Sequence, residues 1–287
     1  MRIVVLGASG MLGRDLCPIL GQRHEVTPLS SGDADVRDAP ALRERLGGLR
    51  PDVVINCAAA TNVDRCETEP EWAYRVNAWG AWAAAGAADA VDARFIHIST
   101  DFVFSGETEQ PYGEWDPTCP VSVYGASKLA GETAVFRAGR RVSVARTQWL
   151  FGRGGKSFPR AIIDAARRRP EAGLRVVSDQ FGAPTYTVHL ARKLLWLVEW
   201  PVDGLYHLNN AGECSRDEWA REALRLAGLE EVSVTPIRTE DWPTPARRPA
   251  RSTLRRHALE LMGADDLPDW REGLAEFVRE LREAGEL

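Results

Sequence analysis

Lysine is nearly absent from this chain of 287 residues: three lysines, at positions 128, 156 and 193, stand against 33 arginines. Cysteine is also scarce, with five residues in the chain. Their number is odd, and they form no Cys-x-x-Cys pair and no Cys/His cluster. This usage argues against a disulfide framework and against a zinc site. The sequence contains no run of about 18 apolar residues, so it predicts no transmembrane helix.

Net charge and apolar content limit the classes of protein to which this chain can belong. The net charge is −5, and basic residues are scattered apart from two short arginine clusters, so we expect no nucleic-acid partner. The chain starts with Met1-Arg2 and a core strand, so we expect no signal peptide, no membrane anchor and a cytoplasmic location. With 44% apolar residues it can bury a large core, as one large α/β domain or as a domain with a smaller lobe.

Short apolar segments alternate with helical segments, which is typical of a parallel sheet with helices on both faces. The predicted strands are 2–6, 25–29, 53–57, 94–98, 142–147 and 205–208. The predicted helices are 11–20, 39–47, 70–90, 124–138, 157–169, 187–199, 215–227 and 270–283. Four prolines between Thr235 and Pro249 predict an irregular segment there.

A glycine-rich turn, Gly7-Ala8-Ser9-Gly10-Met11-Leu12-Gly13, separates the first strand from the first helix. Its spacing is G-x-x-G-x-x-G: Gly7 allows a tight turn, Gly10 lets the backbone approach a pyrophosphate, and Gly13 allows close helix packing. A plain strand-to-helix turn could have the same glycines. Together with the motif described next, the turn predicts a dinucleotide site at a helix N-terminus.

Tyr124 and Lys128 lie four residues apart, so on a helix they share one face. An ammonium beside a phenol stabilises the phenolate, so we expect Lys128 to lower the pKa of Tyr124. Thr100 adds a hydroxyl that can reach the same carbonyl oxygen, with the neighbouring Ser99 as the alternative. These groups predict the reduction of a ketone, with Tyr124 as the proton donor.

Further motifs run through the rest of the chain: Asn56–Asp64, Val76–Ala78, Ser99–Phe104, Arg146–Gly152, Ser178–Thr185, Gly204–Leu208 and Arg248–Ser252. With them the sequence resembles the extended short-chain dehydrogenase/reductases and, within these, the dTDP-4-dehydrorhamnose reductase family, nearly from end to end. Asp179-Gln180-Phe181-Gly182-Ala183-Pro184-Thr185 is the most specific of these segments.

The resemblance implies a Rossmann-type doubly wound parallel α/β sheet with a smaller C-terminal substrate-binding lobe. Residues 1–150 would form the dinucleotide-binding domain and residues 151–287 mainly the lobe, with one crossing back to the sheet near 176–206. Substrate would then bind in the cleft between the strand ends and the lobe.

The resemblance also implies a set of cofactor-binding residues. They are Gly7, Gly10, Met11, Leu12, Gly13, Ser30, Asp35, Val36, Ala58, Ala59, Ala60, Asn77, Tyr124 and Lys128. The second strand is followed by Ser30-Ser31, without a carboxylate for a ribose 2′-hydroxyl, which favours NADPH. The nearby Asp33 and Asp35 leave NADH open. Magnesium is associated with some relatives, but no acidic residues of this chain align with a metal site, so no metal residues are assigned.

By the same resemblance, hydride passes from the nicotinamide to the C4 ketone of a dTDP-4-keto-6-deoxy sugar, turning dTDP-4-dehydrorhamnose into dTDP-rhamnose for cell-surface polysaccharides. Lys128 would also hold the nicotinamide ribose, and Thr100, Asp101 and Trp149 would contact the substrate. A packing role in the core is the alternative for Trp149, because the chain has ten tryptophans.

Two positions depart from the family pattern, and several functions stay open. Phe102 stands where many relatives have Tyr, and Gln148 where many have Ser or Thr. A 4,6-dehydratase uses an Asp-Glu pair, whereas this chain has Asp101-Phe102, which favours simple reduction. A non-catalytic NADP-binding regulatory subunit, and a reductase or epimerase of another nucleotide sugar, remain alternatives. The sequence leaves open the sugar, the stereochemistry at C4 and a homodimer.

Overall fold

The computed structural model describes residues 1–200 and 202–287. Its strands are β1 (Arg2–Leu6), β2 (Glu25–Leu29), β3 (Val53–Asn56), β4 (Arg94–Thr100), β5 (Val142–Thr147), β6 (Leu150–Phe151), β7 (Leu174–Val177), β8 (Phe181–Gly182), β9 (Thr185–Tyr186), β10 (Gly204–His207), β11 (Cys214–Ser215) and β12 (Val234–Ile237). Its α-helices are α1 (Met11–Gly21), α2 (Ala39–Leu49), α3 (Val63–Thr68), α4 (Pro70–Tyr74), α5 (Ala81–Asp89), α6 (Val123–Ala138), α7 (Phe158–Arg168), α8 (Thr187–Glu199), α9 (Arg216–Ala227), α10 (His257–Leu261) and α11 (Trp270–Glu283).

The large sheet has six strands in the order β10-β5-β4-β3-β1-β2, and every pair is parallel. This confirms the predicted Rossmann-type doubly wound fold. In a parallel sheet all carboxyl ends lie at one edge, so the residues that follow β1, β3, β4 and β5 meet there. Strand β4 runs two residues further than predicted and ends at Thr100, which places this hydroxyl at that edge.

Both faces of the large sheet are covered by helices, as expected for a buried parallel sheet. On one face, leucines of α1 and α8 such as Leu16 and Leu194 pack against β-branched residues such as Val5 and Ile55. On the other face, α2, α5 and α6 cover the sheet, and the alanine-rich α5 lies close to it through its small side chains. Burying each large aliphatic side chain contributes about 1.5–3 kcal/mol, so these two layers dominate the stability.

The predicted single helix 70–90 is wrong in detail, because the structure divides it. Between α4 and α5 the six residues Arg75–Gly80 form a π-helix, a geometry common at functional sites. Its buried Asn77 accepts from the Ala60 backbone N–H at 2.8 Å and donates to the Ser127 hydroxyl at 2.9 Å. Asn77 therefore ties the segment after β3 to helix α6.

The smaller lobe contains three two-stranded sheets, β6–β9, β7–β12 and β8–β11, with α7, α9 and α11 packed on them. Its core is aromatic, with Trp219, Trp270 and Phe277 almost fully buried. The predicted irregular segment starts too early, because Thr235–Ile237 belongs to β12. Pro236 is tolerated there since each strand of a two-stranded sheet has a free edge that needs no N–H donor.

Helix α8 and strand β10 return to the large sheet, where α8 packs against α1 and β10 pairs with β5. The part of the chain that returns to the large sheet begins at α8, because β7 and β8 pair with strands of the lobe. Across the described residues, every helix is too short or too polar to span a bilayer.

Candidate active site

A cleft of about 480 Å³ opens at the carboxyl edge of the sheet and faces the lobe. The residues lining it are Gly7, Gly10, Met11, Leu12, Gly13, Cys57, Ala59, Thr61, Val63, Ile98, Ser99, Thr100, Asp101, Phe102, Tyr124, Lys128, Thr147, Gln148, Trp149, Leu150, Lys156, Arg216 and Arg248. The cleft thus brings the glycine turn together with the Thr100, Tyr124 and Lys128 side chains.

The glycine turn has the shape that a pyrophosphate needs. Gly7 has a φ of +73°, and a Cβ there would lie 2.6 Å from the Ala58 nitrogen, while a Cβ on Gly13 would lie 2.6 Å from Cα of Ala8. A Cβ on Gly10 would instead meet only the Gly7 carbonyl, at 3.2 Å, so Gly10 faces open space. The N-terminus of α1 therefore presents backbone N–H groups and the positive end of its dipole to an approaching phosphate. These residues fit a dinucleotide.

Thr100 is held by its neighbours. Its hydroxyl donates to Asp101 Oδ1 at 2.9 Å and accepts from the Phe102 N–H at 3.2 Å, while Ser252 donates to the other oxygen of Asp101. Burial raises the pKa of Asp101 to about 6, against the opposing effect of these hydrogen bonds. The hydroxyl of Ser99, the alternative to Thr100, donates to Glu132.

Helix α6 lies unusually close to the end of β4 because it carries glycines where it crosses its neighbours. A Cβ on Gly125 would lie 2.1 Å from the Phe102 carbonyl oxygen, and one on Gly131 would lie 2.2 Å from that of Asn77. Ser122 caps the helix by accepting from the Gly125 N–H at 3.2 Å. This close packing holds Tyr124, the second residue of α6, beside the end of β4.

The pKa values at this centre differ from the expectation. Burial raises the pKa of Tyr124, and the Thr100 hydroxyl opposes that rise. Lys128 Nζ instead donates to the Ile98 carbonyl at 2.7 Å and lies 3.3 Å from His97 Nε2. Burial lowers the pKa of Lys128 to about 8, with Glu132 opposing. The pKa of Tyr124 is therefore raised by burial and not lowered as expected.

Trp149 belongs to the cleft and to the aromatic core of the lobe at once. It adopts a positive φ of 46°, and its ring lies 5.6 Å from that of Trp219. Gly182 makes room for it, because a Cβ there would lie 2.6 Å from the indole. The Arg216 guanidinium stacks 3.5 Å from the ring centre of Trp149, and burial lowers its pKa to about 10, so it stays charged at neutral pH.

Several expected cofactor residues lie outside the cleft lining: Ser30, Asp35, Val36, Ala58, Ala60 and Asn77. Val36, Ala60 and Asn77 are buried, with Val36 packed against Gly80, so they support the site from behind. Asp35 pairs with Arg37 at 2.6 Å. The Asp33 carboxylate lies against the end of β2, because it accepts from the Ser30 N–H at 2.9 Å and from its hydroxyl at 2.6 Å.

Three basic residues of the cleft escaped the sequence analysis. Lys156 precedes α7, Arg216 begins α9, and Arg248 pairs with Asp64 at 3.0 Å. Only the rarity of lysine could have drawn attention to Lys156, Arg248 is the first residue of the motif Arg248–Ser252, and nothing marks Arg216 among the 33 arginines. Among the residues that the structure describes, no group of three or more His, Cys, Asp or Glu side chains could hold a metal ion.

Comparison with known proteins identifies the family. The sequence profile described as RmlD substrate binding domain matches residues 1–283. A dTDP-4-dehydrorhamnose reductase from Burkholderia thailandensis is 38% identical over 98% of this chain and 99% of its own length.

Solved structures agree. A crystal structure of a dTDP-4-dehydrorhamnose reductase from Clostridium acetobutylicum is 40% identical and superposes with a TM-score of 0.95 over 98% of this chain and 100% of that one. The dTDP-4-dehydrorhamnose reductase from Bacillus anthracis, solved in complex with NADP, is 35% identical with a TM-score of 0.94 over 97% of this chain and 99% of that one. The chain, with its glycine turn and its Thr100, Tyr124 and Lys128 in one cleft, belongs to the RmlD substrate-binding-domain family.

Proposed function

We propose that this protein reduces the C4 ketone of a dTDP-4-keto-6-deoxy sugar with NADPH, converting dTDP-4-dehydrorhamnose to dTDP-rhamnose in the cytoplasm. The observation that carries the proposal is the convergence of a dinucleotide-binding turn with Thr100, Tyr124 and Lys128 in one cleft. The names of the similar reductases and the NADP complex of one of them support it. An intact set of reactive groups counts against a purely regulatory subunit.

Bound NADPH would supply the hydride that reaches C4 of the sugar. Tyr124 then gives its phenolic proton to the carbonyl oxygen, which becomes the new hydroxyl. Because burial raises the pKa of Tyr124, the phenol carries its proton at neutral pH and is ready to donate it. Lys128, whose pKa burial lowers to about 8, adds a positive charge to the same cleft, and Thr100 orients the carbonyl oxygen.

The nucleotide half of the substrate meets the basic side of the cleft. A sugar nucleotide carries a diphosphate, and Lys156, Arg216 and Arg248 line the cleft beside the flat ring of Trp149. Arg216 stacks on that ring, which fixes the plane of its guanidinium and its donor groups. We assign Arg216 to the diphosphate and Trp149 to the base or sugar.

Replacing Arg216 with glutamine should raise the KM for the sugar nucleotide by about 10- to 100-fold, because a charge-assisted hydrogen bond contributes about 1.5–3 kcal/mol. We expect kcat to fall much less, since the guanidinium binds a part of the substrate that does not react. Steady-state kinetics measure both constants. Arg225→Gln is the matched control, because Arg225 lies on the same helix but pairs with Glu222 at the surface. A wild-type KM in Arg216→Gln would remove Arg216 from the diphosphate site.

The decisive experiment mixes the purified protein with NADPH and a panel of 4-keto-6-deoxy nucleotide sugars, with and without magnesium, and follows absorbance of the reduced nicotinamide. Oxidation that depends on the sugar, with a product heavier by two hydrogens, is the expected result. No oxidation with any sugar would overturn the proposal. Loss of water from dTDP-glucose with this protein alone would identify a dehydratase instead.

Cofactor choice should be a preference for NADPH over NADH, because the hydroxyls of Ser30 and Ser31 at the end of β2 suit a 2′-phosphate. The preference should be modest, because the Asp33 carboxylate lies against Ser30 and repels that phosphate. Asp33→Asn should therefore increase the preference, and Ser30→Asp should reverse it. Parallel kinetics with both cofactors measure the ratio of the two kcat/KM values. Asp38→Asn, at the cap of α2, is a control of equal charge change. A wild-type preference for NADH of about tenfold or more, equivalent to ~1.4 kcal/mol, would contradict the assignment.

A further inference from the structure

Gln148 is the most conspicuous polar residue of the cleft that the proposed chemistry does not use. Its side chain is 1% exposed and lies in the wall of the cleft. Within residues 1–200 and 202–287, neither its amide oxygen nor its amide nitrogen has a hydrogen-bond partner, and the same holds for the neighbouring Thr147 hydroxyl. Buried polar groups are nearly always paired, so an amide held here without a protein partner points to a ligand that pairs with it.

The position of Gln148 places it next to the reacting groups. In the pairing of β4 with β5, Thr147 lies opposite Thr100, so Gln148 follows β5 where Asp101 follows β4. The next residue, Trp149, has a positive φ, and its carbonyl accepts from the Thr185 N–H at 3.2 Å. The backbone is therefore fixed on both sides of Gln148, which keeps the residue at the edge of the sheet beside Thr100.

We propose that Gln148 selects the sugar by hydrogen bonding to the ring hydroxyl on the carbon next to the ketone, an inference that rests on the proposed function. The two carbons beside C4 of a 4-keto-6-deoxy sugar differ: C3 carries a hydroxyl and C5 carries a methyl group. A carboxamide both donates and accepts, which matches a hydroxyl and not a methyl group. A sugar without the C3 hydroxyl leaves the buried amide unpaired and is rejected.

The test compares dTDP-4-dehydrorhamnose with its 3-deoxy analogue, using the wild type and Gln148→Met. We expect the wild type to prefer the hydroxylated sugar by about 10- to 100-fold in kcat/KM. Gln148→Met should lose about that factor on the hydroxylated sugar and little on the 3-deoxy sugar, because methionine has a similar length and no amide. The preference should therefore nearly vanish in the variant.

The outcomes separate this inference from the proposed function. A wild type that turns over both sugars with equal kcat/KM overturns the role of Gln148 and leaves the reductase proposal standing. An equal loss on both sugars in Gln148→Met also overturns it, since that is the mark of a structural role. A wild type inactive on every keto sugar overturns both proposals. NADPH affinity and the Tm of the variant, expected to be no lower than those of the wild type, show that it is folded.

Discussion

Replacing Tyr124 with phenylalanine should lower kcat by about 10²- to 10⁴-fold, the range for loss of a positioned acid. The substitution removes one oxygen atom and keeps the ring, which meets Phe102 edge to face with 5.4 Å between ring centres. NADPH affinity should therefore stay close to that of the wild type, because the glycine turn and Lys128 are unchanged. The loss should appear in the chemical step alone.

Single-turnover kinetics and a fluorescence titration with NADPH separate these two effects. Tyr206→Phe is the matched control, because Tyr206 also loses one hydroxyl, which donates to the Val202 carbonyl at 2.8 Å, but lies in β10 outside the cleft lining. This control should keep nearly all of its turnover. If Tyr124→Phe retained more than about a tenth of the wild-type kcat, the proton would come from another group.

The sequence predicted the large sheet well, because β1, β3, β4 and β5 are short, mostly buried runs that contain β-branched residues. The two-residue strands of the lobe, such as β6 and β9, carry no periodic pattern and were missed. Their pairing depends on contacts between distant segments. The π-helix Arg75–Gly80 was also hidden, since its residues suit an α-helix and only the packing of Asn77 and Gly80 requires the wider turn.

Some residues of the candidate site could be predicted from the sequence and others could not. Thr100, Tyr124, Lys128 and the glycine turn lie in local motifs, so their convergence at the strand ends could be predicted. Arg216 could not, because its place in the cleft follows from how the lobe packs.

Electrostatic details were the least predictable part. The spacing of Tyr124 and Lys128 indicated a shared helix face, but the direction of each pKa shift depends on burial and on which groups surround it. The Lys128 ammonium donates to the carbonyl of Ile98 on β4 and lies 3.3 Å from Nε2 of His97 on the same strand. Asp33 likewise turns back to Ser30, a contact that the sequence order does not reveal.

Replacing Lys128 with methionine should lower kcat/KM by about 10²-fold or more and weaken NADPH binding, because it removes a buried ammonium from the centre of the site. The pH dependence gives the sharper test. The pKa of Lys128 in the free enzyme is about 8, so its ammonium is fully present below that pH and is lost as the pH rises through it. The kcat/KM of the wild type should therefore be level towards neutral pH and fall above about 8.

Lys128→Arg distinguishes this group from Tyr124 as the source of the alkaline limb. Burial raises the pKa of Tyr124, so the phenol ionises at higher pH and cannot produce a fall near 8. The arginine guanidinium stays charged at every pH tested, so the alkaline limb of the pH profile should move to higher pH. The maximal rate should fall, because a planar guanidinium replaces a compact ammonium between the Ile98 carbonyl and His97. Full pH profiles of kcat/KM, with NADPH affinities at each pH, measure both effects. Methionine and arginine variants with the wild-type profile and the wild-type cofactor affinity would show that Lys128 takes no part in the reaction.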